Sequence, residues 1–443
     1  MRFTAAQIAE ASGGRVVGDP AATVDGATQD SREVQAGQLF VPLVAERDGH
    51  DFVDRAVTAG ATVCLWARSS DVPTDLTAVI VDDTAAALEA LGAAARDRLD
   101  VPVVGITGSV GKTTVKDLAL GVLGAAGRAH GSARSFNNEI GVPLTLLATP
   151  DDASAVVVEM GARGSGHIRS LCAIAHPTIG VVTRVAMVHS EMFGSIDDIA
   201  QGKGELIEAL PESGTAVLNA GDERVAAMAE RTDATVLTYG VGVGDVRVER
   251  VDVADDLRLR IALATPWGAI EVEPSARGAH NAENAAAAAA VGLATGMDLE
   301  LVAIGLADAE LSPLRMSVVV LESGAVVLDD SYNANPTSMR AALDALSSVP
   351  ARRRIAVLGV MAELGPESDT EHATIGAEVV NRGIELIAVA APQYEAVRQG
   401  GLSVDGIDSA VEILGELEEG VAVLAKGSRV AGLDELVRRL RAT

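Results

Sequence analysis

The sequence predicts an α/β protein of three domains. These are a small N-terminal α/β domain over residues 1–99, a central domain with a mainly parallel sheet over residues 100–312, and a C-terminal Rossmann-like domain over residues 313–443. Three observations support that reading. A chain of 443 residues is too long for one typical core. From Val101 onward, short uncharged runs alternate with helical segments, as in parallel sheets covered by helices on both faces. The alternation begins afresh after Ser312-Pro313, so two such units follow one another.

The first domain opens with a capping box, Thr4 with Gln7, and a short helix ending near Gly13-Gly14. Apolar runs at Leu39–Val44 and Ala61–Trp66 read as short strands, and Thr84–Leu99 as an Ala-rich helix. In the second domain Val101–Ile106 is a strand buried on both faces, followed by a Gly-rich loop and a helix from Thr113 to about Ala126. Ala155–Val158, Thr178–Thr183 and Thr215–Leu218 are further strands, and Ser195 with Asp198 caps a helix carrying Lys203. Val246–Val253 and Leu257–Ala264 alternate apolar with charged residues and predict a small antiparallel patch. Asn281–Thr295 reads as a helix packed through alanine. The third domain starts with a hairpin, Val318–Leu321 and Ala325–Leu328, around Ser323-Gly324. Helices at Pro336–Ser348, Thr370–Arg382 and Leu433–Leu440 then alternate with strands at Ile355–Leu358, Leu386–Ala390 and Val421–Leu424.

Composition narrows the function. With 35 basic against 62 acidic residues the net charge is -27, which argues against nucleic acid as a partner. An anionic small molecule can bind only where a lysine, a metal ion or backbone N–H groups reverse the field locally. Two cysteines, Cys64 and Cys172, cannot build a disulfide framework and suit a reducing compartment. The start lacks a signal-peptide core, and the most apolar run, Ala285 to Met297, is too short to span a bilayer. A cytoplasmic location is expected.

The loop Thr107-Gly108-Ser109-Val110-Gly111-Lys112-Thr113-Thr114 carries the sharpest chemistry. Glycines let backbone N–H groups turn around phosphate oxygens, and the following helix N-terminus adds its dipole. Lys112 can reach the outer phosphates of ATP, and the Thr113 hydroxyl can ligate magnesium. A Gly-rich turn alone explains the glycines, but not Gly-Lys-Thr after a buried strand. The strict Walker pattern wants glycine where this chain has Ile106. Glu159, ending Ala155–Val158, fits the metal carboxylate that such a loop requires. Taken singly, the amides of Ser135-Phe136-Asn137-Asn138-Glu139-Ile140-Gly141 read as turn residues, His189 as structural and Lys203 as solvated.

Together these segments, in this order, resemble the Mur ligase family, ATP-dependent amide ligases of peptidoglycan precursor synthesis. The resemblance implies a central P-loop mononucleotide-binding domain and makes the Ile106 departure the family's own variant. It implies Thr113, Glu159 and His189 as magnesium ligands at two sites, Asn138 near the transferred phosphate, and Lys203 as a carbamate formed with CO2. Lys112, Asn138, His189 and Lys203 are then the candidate catalytic residues. Asn281 and Asn284 are expected at the adenine, and Arg315 and Asp330 reach the nucleotide from the third domain.

Within the family, Leu328-Asp329-Asp330-Ser331-Tyr332-Asn333-Ala334-Asn335-Pro336 resembles the branch that joins D-Ala-D-Ala to UDP-N-acetylmuramoyl-tripeptide. So do Gly359–Gly365 with His372, and Lys426-Gly427-Ser428-Arg429. Tyr332, Asn333 and Asn335 are thereby expected near the dipeptide. Ser31, Arg32, Asp48 and His50 are expected at the UDP-sugar, in a first domain that binds that substrate. The branch implies an acyl-phosphate route, two small-molecule substrates and a monomer. Arg163 departs from the pattern, where a neutral polar residue is expected, as does Gly202, where alanine is. The alternatives are another Mur-type ligase, a folylpolyglutamate synthase-like ligase, and a P-loop ATPase switch.

Overall fold

The computed structural model describes residues 1–68, 72–73, 76–132, 136–187 and 194–442. At the start of the chain the Thr4 hydroxyl accepts from Gln7 N and the Gln7 side chain accepts from Thr4 N, which launches the helix Ala5–Ser12. Among the described residues the N-terminal strands form a five-stranded sheet and a two-stranded antiparallel pair. Within the run Leu39–Val44 only Leu39–Phe40 pairs as strand. Pro42 has no N–H for a ladder, and Gly49 N turns the chain back onto Leu43 O. The helix Thr84–Arg96 packs on Gly141–Leu147 and His167–Ala175, so Leu88 and Leu91 share one apolar cluster with Val142, Leu146 and Ile174. The first domain is thereby cemented to one face of the central sheet.

The central sheet has nine strands, in the order Gly268–Val272, Leu259–Thr265, Val246–Val253, Thr235–Val241, Thr215–Asn219, Ile179–Val182, Val103–Thr107, Ala155–Glu159, Ala129–Gly131. Pairing is parallel from Ala129–Gly131 through Val246–Val253 and antiparallel beyond. The expected antiparallel patch is thus the far edge of the same sheet, joined through Thr235–Val241, a strand the sequence pattern did not reveal. Val103–Thr107 and its two neighbours are buried along their whole length, as parallel strands covered on both faces must be. The helix Asn281–Ala294 lies on the helix Lys112–Ala126, and Ala285–Ala290 are fully buried. Alanine lets these backbones approach closely, which explains a core with so few aromatics.

The C-terminal sheet runs Ser317–Val320, Val326–Asp329, Val421–Lys426, Arg353–Leu358, Glu385–Val389, Leu402–Val404. The first pair is the antiparallel hairpin, and the other pairs are parallel. Asn335 caps the helix Pro336–Ser348 in a reciprocal box with Ser338, with proline in the first turn. The loops after Asp329, Leu358 and Lys426 leave the carboxyl ends of adjacent parallel strands, where open α/β sheets bind ligands.

Candidate active site

The strand Val103–Thr107 hands the chain to the helix Lys112–Ala126 through two glycines in conformations that side chains resist. Gly108 has φ 150° and Gly111 φ 85°. A Cβ at Gly108 would lie 1.8 Å from Thr183 Oγ1, and one at Gly111 2.6 Å from Asn284 Oδ1. The cradle is buttressed from the next strand end. Thr183 Oγ1 donates to Val110 O at 2.6 Å, Ser109 N donates to Arg184 O at 2.7 Å, and Ser109 Oγ donates to Ala186 O at 2.8 Å. Lys112 Nζ reaches back to Gly108 O at 2.8 Å, so its charge already sits at the mouth of the loop. Burial pushes this ammonium's pKa down, Glu159 opposes the shift, and Arg315 reinforces it. Thr107 Oγ1 is buried without a hydrogen-bond partner among the described residues.

Glu159 ends its strand beside this loop. Thr113 Oγ1 donates to Glu159 Oε2 at 2.7 Å, and Asn137 Nδ2 donates to Oε1 at 2.9 Å. A buried carboxylate held against a hydroxyl is an all-oxygen donor pair suited to a hard cation, so these residues fit magnesium. No group of three or more His, Cys, Asp or Glu side chains forms a metal cluster among the described residues. His189 lies outside the described residues. Asn138 Oδ1 accepts from Gly141 N at 2.9 Å and so starts the helix Gly141–Leu147.

Lys203 is 2% exposed on the helix Ile196–Glu208 and makes no hydrogen bond or ion pair with a described residue. Burial drives its pKa well below the usual lysine value, and the charge of Lys112 adds to the effect. The structure thus brings Lys112, Thr113, Glu159 and Lys203 into one neighbourhood. Asn284 Nδ2 donates to Asn281 Oδ1 at 2.7 Å at the start of their helix, and Asn284 lies beside Gly111. From the third domain, the Arg315 guanidinium stacks 4.3 Å over the Tyr332 ring. Asp330 accepts from Lys426 Nζ and, at 3.1 Å, from Met316 N. Lys426 also donates to Asn333 O at 3.0 Å, tying the segment 330–336 to the loop after its neighbouring strand.

In the first domain Ser31 and Arg32 line an open cleft of about 430 Å³ with Asp54, Arg55, Thr58 and Ala59. Hydrogen bonds from Arg32 hold the Asp30 carboxyl down at about 2. Asp48 and His50 form a separate knot. His50 Nδ1 donates to Asp48 at 2.6 Å while Nε2 accepts from Ala67 N at 3.0 Å. Both ring nitrogens are spent on shaping the loop.

Sequence reasoning left several working residues unassigned. Asn137 and Thr183 were passed over although both touch the cradle. Glu205, 2% exposed, accepts from Gly166 N at 2.6 Å and Arg169 N at 3.0 Å. Asp117, one turn beyond Thr113, accepts from Ser312 N at 2.7 Å and clips the phosphate helix to the linker of the third domain. The Lys116-Asp117 pair so close behind Lys112 was the available signal.

Comparison with known proteins places this geometry. The Mur ligase middle domain profile matches residues 106–292, and the Mur ligase, glutamate ligase domain profile matches residues 314–429. The UDP-N-acetylmuramoyl-tripeptide–D-alanyl-D-alanine ligase of Mycobacterium bovis is 38% identical, over 98% of this chain and 96% of its own. A crystal structure of MurF from Acinetobacter baumannii, 28% identical, covers 100% of this chain and 99% of its own with a TM-score of 0.90. MurF ligase from Thermotoga maritima in complex with ADP, 25% identical, covers 95% and 97% with a TM-score of 0.82. The Ile106 variant of the phosphate loop, the three α/β domains and the signature after Asp329 therefore have one explanation: the chain belongs to the Mur ligase family of ATP-dependent ligases.

Proposed function

We propose that the chain joins D-Ala-D-Ala to UDP-N-acetylmuramoyl-tripeptide, activating the tripeptide's terminal carboxylate as an acyl phosphate at the expense of ATP. The observation that carries the reading is the approach of two domains to one point. Arg315, from the unit bearing Tyr332, Asn333 and Asn335, lies close enough to act on the charge of Lys112 in the phosphate loop. A switch needs the loop alone, whereas a ligase needs an activated carboxylate and an amine in one cleft.

The tripeptide carboxylate and the triphosphate are both anionic, so their approach must be neutralised. Lys112 and the backbone N–H groups of 108–113 receive the phosphate oxygens, and Arg315 adds a second cation from the third domain. Thr113 and Glu159 would hold magnesium, with His189 as a further ligand and a second ion near Lys203; when bound, the metal supplies further charge neutralisation. Carboxylate oxygen attacks the γ-phosphorus, and ADP leaves. The dipeptide amine then attacks the acyl carbon, loses a proton, and expels phosphate as the amide forms. Asn138 stands beside the transferred group, while Tyr332, Asn333 and Asn335 frame the dipeptide. Asn281 and Asn284 face the adenine, Asp330 orients the Arg315 arm through Met316, and Ser31, Arg32, Asp48 and His50 form or shape the UDP-sugar site. Closure of the domains excludes water, which would otherwise hydrolyse the acyl phosphate.

Lys203 acts as a carbamate. A buried ammonium beside Lys112, with no counter-ion among the described residues, is costly, and its depressed pKa favours the neutral amine that reacts with CO2. The product would be an anionic oxygen ligand suited to a second magnesium ion. Labelling with 13C-bicarbonate should give a carbamate carbonyl signal that vanishes in Lys203→Ala. The same signal in both proteins would remove Lys203 from this role.

We take the enzyme to act as a monomer. Two buried, unpaired thiols and the supply of ATP support a cytoplasmic location, and no described helix is long and apolar enough to cross a membrane. Phosphate release with UDP-linked tripeptide plus D-Ala-D-Ala, against single amino acids or folate plus glutamate, tests the reading. Release without any acceptor would favour a hydrolytic switch.

A further inference from the structure

Arg163 stands on a turn that is pinned at both ends. Gly161 N donates to Asn137 O at 2.7 Å, and the Glu205 carboxylate receives Gly166 N at 2.6 Å. The pinned turn gives Arg163 a fixed base. Arg163 lines a cavity of about 210 Å³ together with Gln29, Asn137, Asn138 and Leu144. No acidic side chain lines this cavity among the described residues. The guanidinium of Arg163 makes no ion pair with a described residue, although the chain carries a net charge of -27. Its neighbours behave otherwise: Arg169 pairs with Glu208 and Arg184 with Glu283. An arginine with no described carboxylate as partner, beside a cavity without described acidic lining, is placed for a carboxylate brought by a ligand.

The cavity's position says which part of the ligand arrives there. Gln29 immediately precedes Asp30-Ser31-Arg32, whose last two residues line the open cleft of the first domain. Asn137, on the other wall, holds Glu159 beside the phosphate loop. The cavity thus lies between the proposed UDP-sugar cleft and the cradle, at the reacting end of the peptide. The reacting carboxylate belongs to the third stem residue, so the group nearest to it is that residue's own side chain.

We propose that Arg163 binds a carboxylate on the third stem residue's side chain and selects a diaminopimelate-containing tripeptide over a lysine-containing one. The proposal rests on the ligase reading above. A lysine side chain ends in an ammonium, which the guanidinium repels. Diaminopimelate ends in a carboxylate beside its amine, and a planar guanidinium takes that carboxylate through two parallel N–H bonds.

Steady-state kinetics with the two UDP-linked tripeptides, on wild type, Arg163→Gln and Arg163→Lys, tests this. The wild type should prefer the diaminopimelate substrate. Arg163→Gln should raise KM for that substrate by about 10- to 100-fold, the worth of a charge-assisted contact. KM for the lysine substrate should hold or fall, KM for ATP should stay within about twofold, and Arg163→Lys should recover part of the loss. Equal wild-type use of both tripeptides, an equal rise in both KM values, or no rise at all would overturn the proposal alone. An equal rise would assign Arg163 to a carboxylate common to both substrates. Failure of the wild type to turn over either tripeptide would instead overturn the ligase reading beneath it.

Discussion

Replacing Gly108 with alanine tests the cradle at its tightest point. The new Cβ would sit 1.8 Å from Thr183 Oγ1 and would occupy φ 150°. Thr183 cannot simply turn aside, because its hydroxyl bonds Val110 O at 2.6 Å. Backbone strain of this kind costs about 1–3 kcal/mol. A displaced hydroxyl forfeits a hydrogen bond and leaves Val110 O without that partner, worth about 1–3 kcal/mol more. The free loop relaxes, and nucleotide must restore it, so the penalty of about 3 kcal/mol appears as about 100-fold weaker ADP binding. Calorimetric titration with ADP measures it. The double variant Gly108→Ala/Thr183→Ala removes the clashing hydroxyl and should bind more tightly than the two single losses predict, a coupling seen only between touching groups. Binding of ADP by Gly108→Ala within about twofold of wild type, or strict additivity in the cycle, would refute the argument.

Three further perturbations follow from the same geometry. His372 is fully buried, accepts from Met361 N at 2.8 Å and bonds Ser368 O at 2.6 Å. Its replacement by alanine leaves both groups unmatched over a cavity, so the urea midpoint should fall by an amount corresponding to about 3–5 kcal/mol, with a raised KM for D-Ala-D-Ala; an unchanged midpoint would contradict this. Burial depresses the pKa values of His130 and His372, so each stays neutral in the fold while the unfolded chain protonates below its ordinary value of 6.5. Stability should be fully present above that value and decline as pH falls toward the depressed ones, by up to about 1.4 kcal/mol per pH unit for each histidine, in melting curves taken from about pH 7.5 to about pH 5.5. Asp117→Ala releases Ser312 N from the phosphate helix, just ahead of Leu314 and Met316, which hold φ 64° and 53°. Losing that charge-assisted bond should lower kcat about tenfold with ADP affinity unchanged, and an unaltered kcat would detach the linker from catalysis.

Much of this was legible because it is local. The capping boxes at Thr4 and Ser195, the phosphate loop and the buried strands around it depend on residues a few positions apart. The helices Pro336–Ser348 and Leu433–Leu440 were readable to the residue. What stayed hidden depends on distant partners. Thr183 matters because parallel pairing sets Ile179–Val182 beside the phosphate strand, and Glu205 because its helix reaches across to 166–169. Asp48 and His50 stand out in the sequence as polar residues, but nothing there says that they bind Arg68 and Ala67 rather than solvent or ligand. The run Leu39–Val44 misled because hydrophobicity does not register the missing N–H of Pro42.

The central claim is that ATP activates a carboxylate in this cradle. Tripeptide carrying 18O in its terminal carboxylate, turned over with ATP and D-Ala-D-Ala, should pass one 18O atom into the phosphate released. Phosphate free of the label, formed in step with product, would mean that the carboxylate is never phosphorylated and would contradict the account.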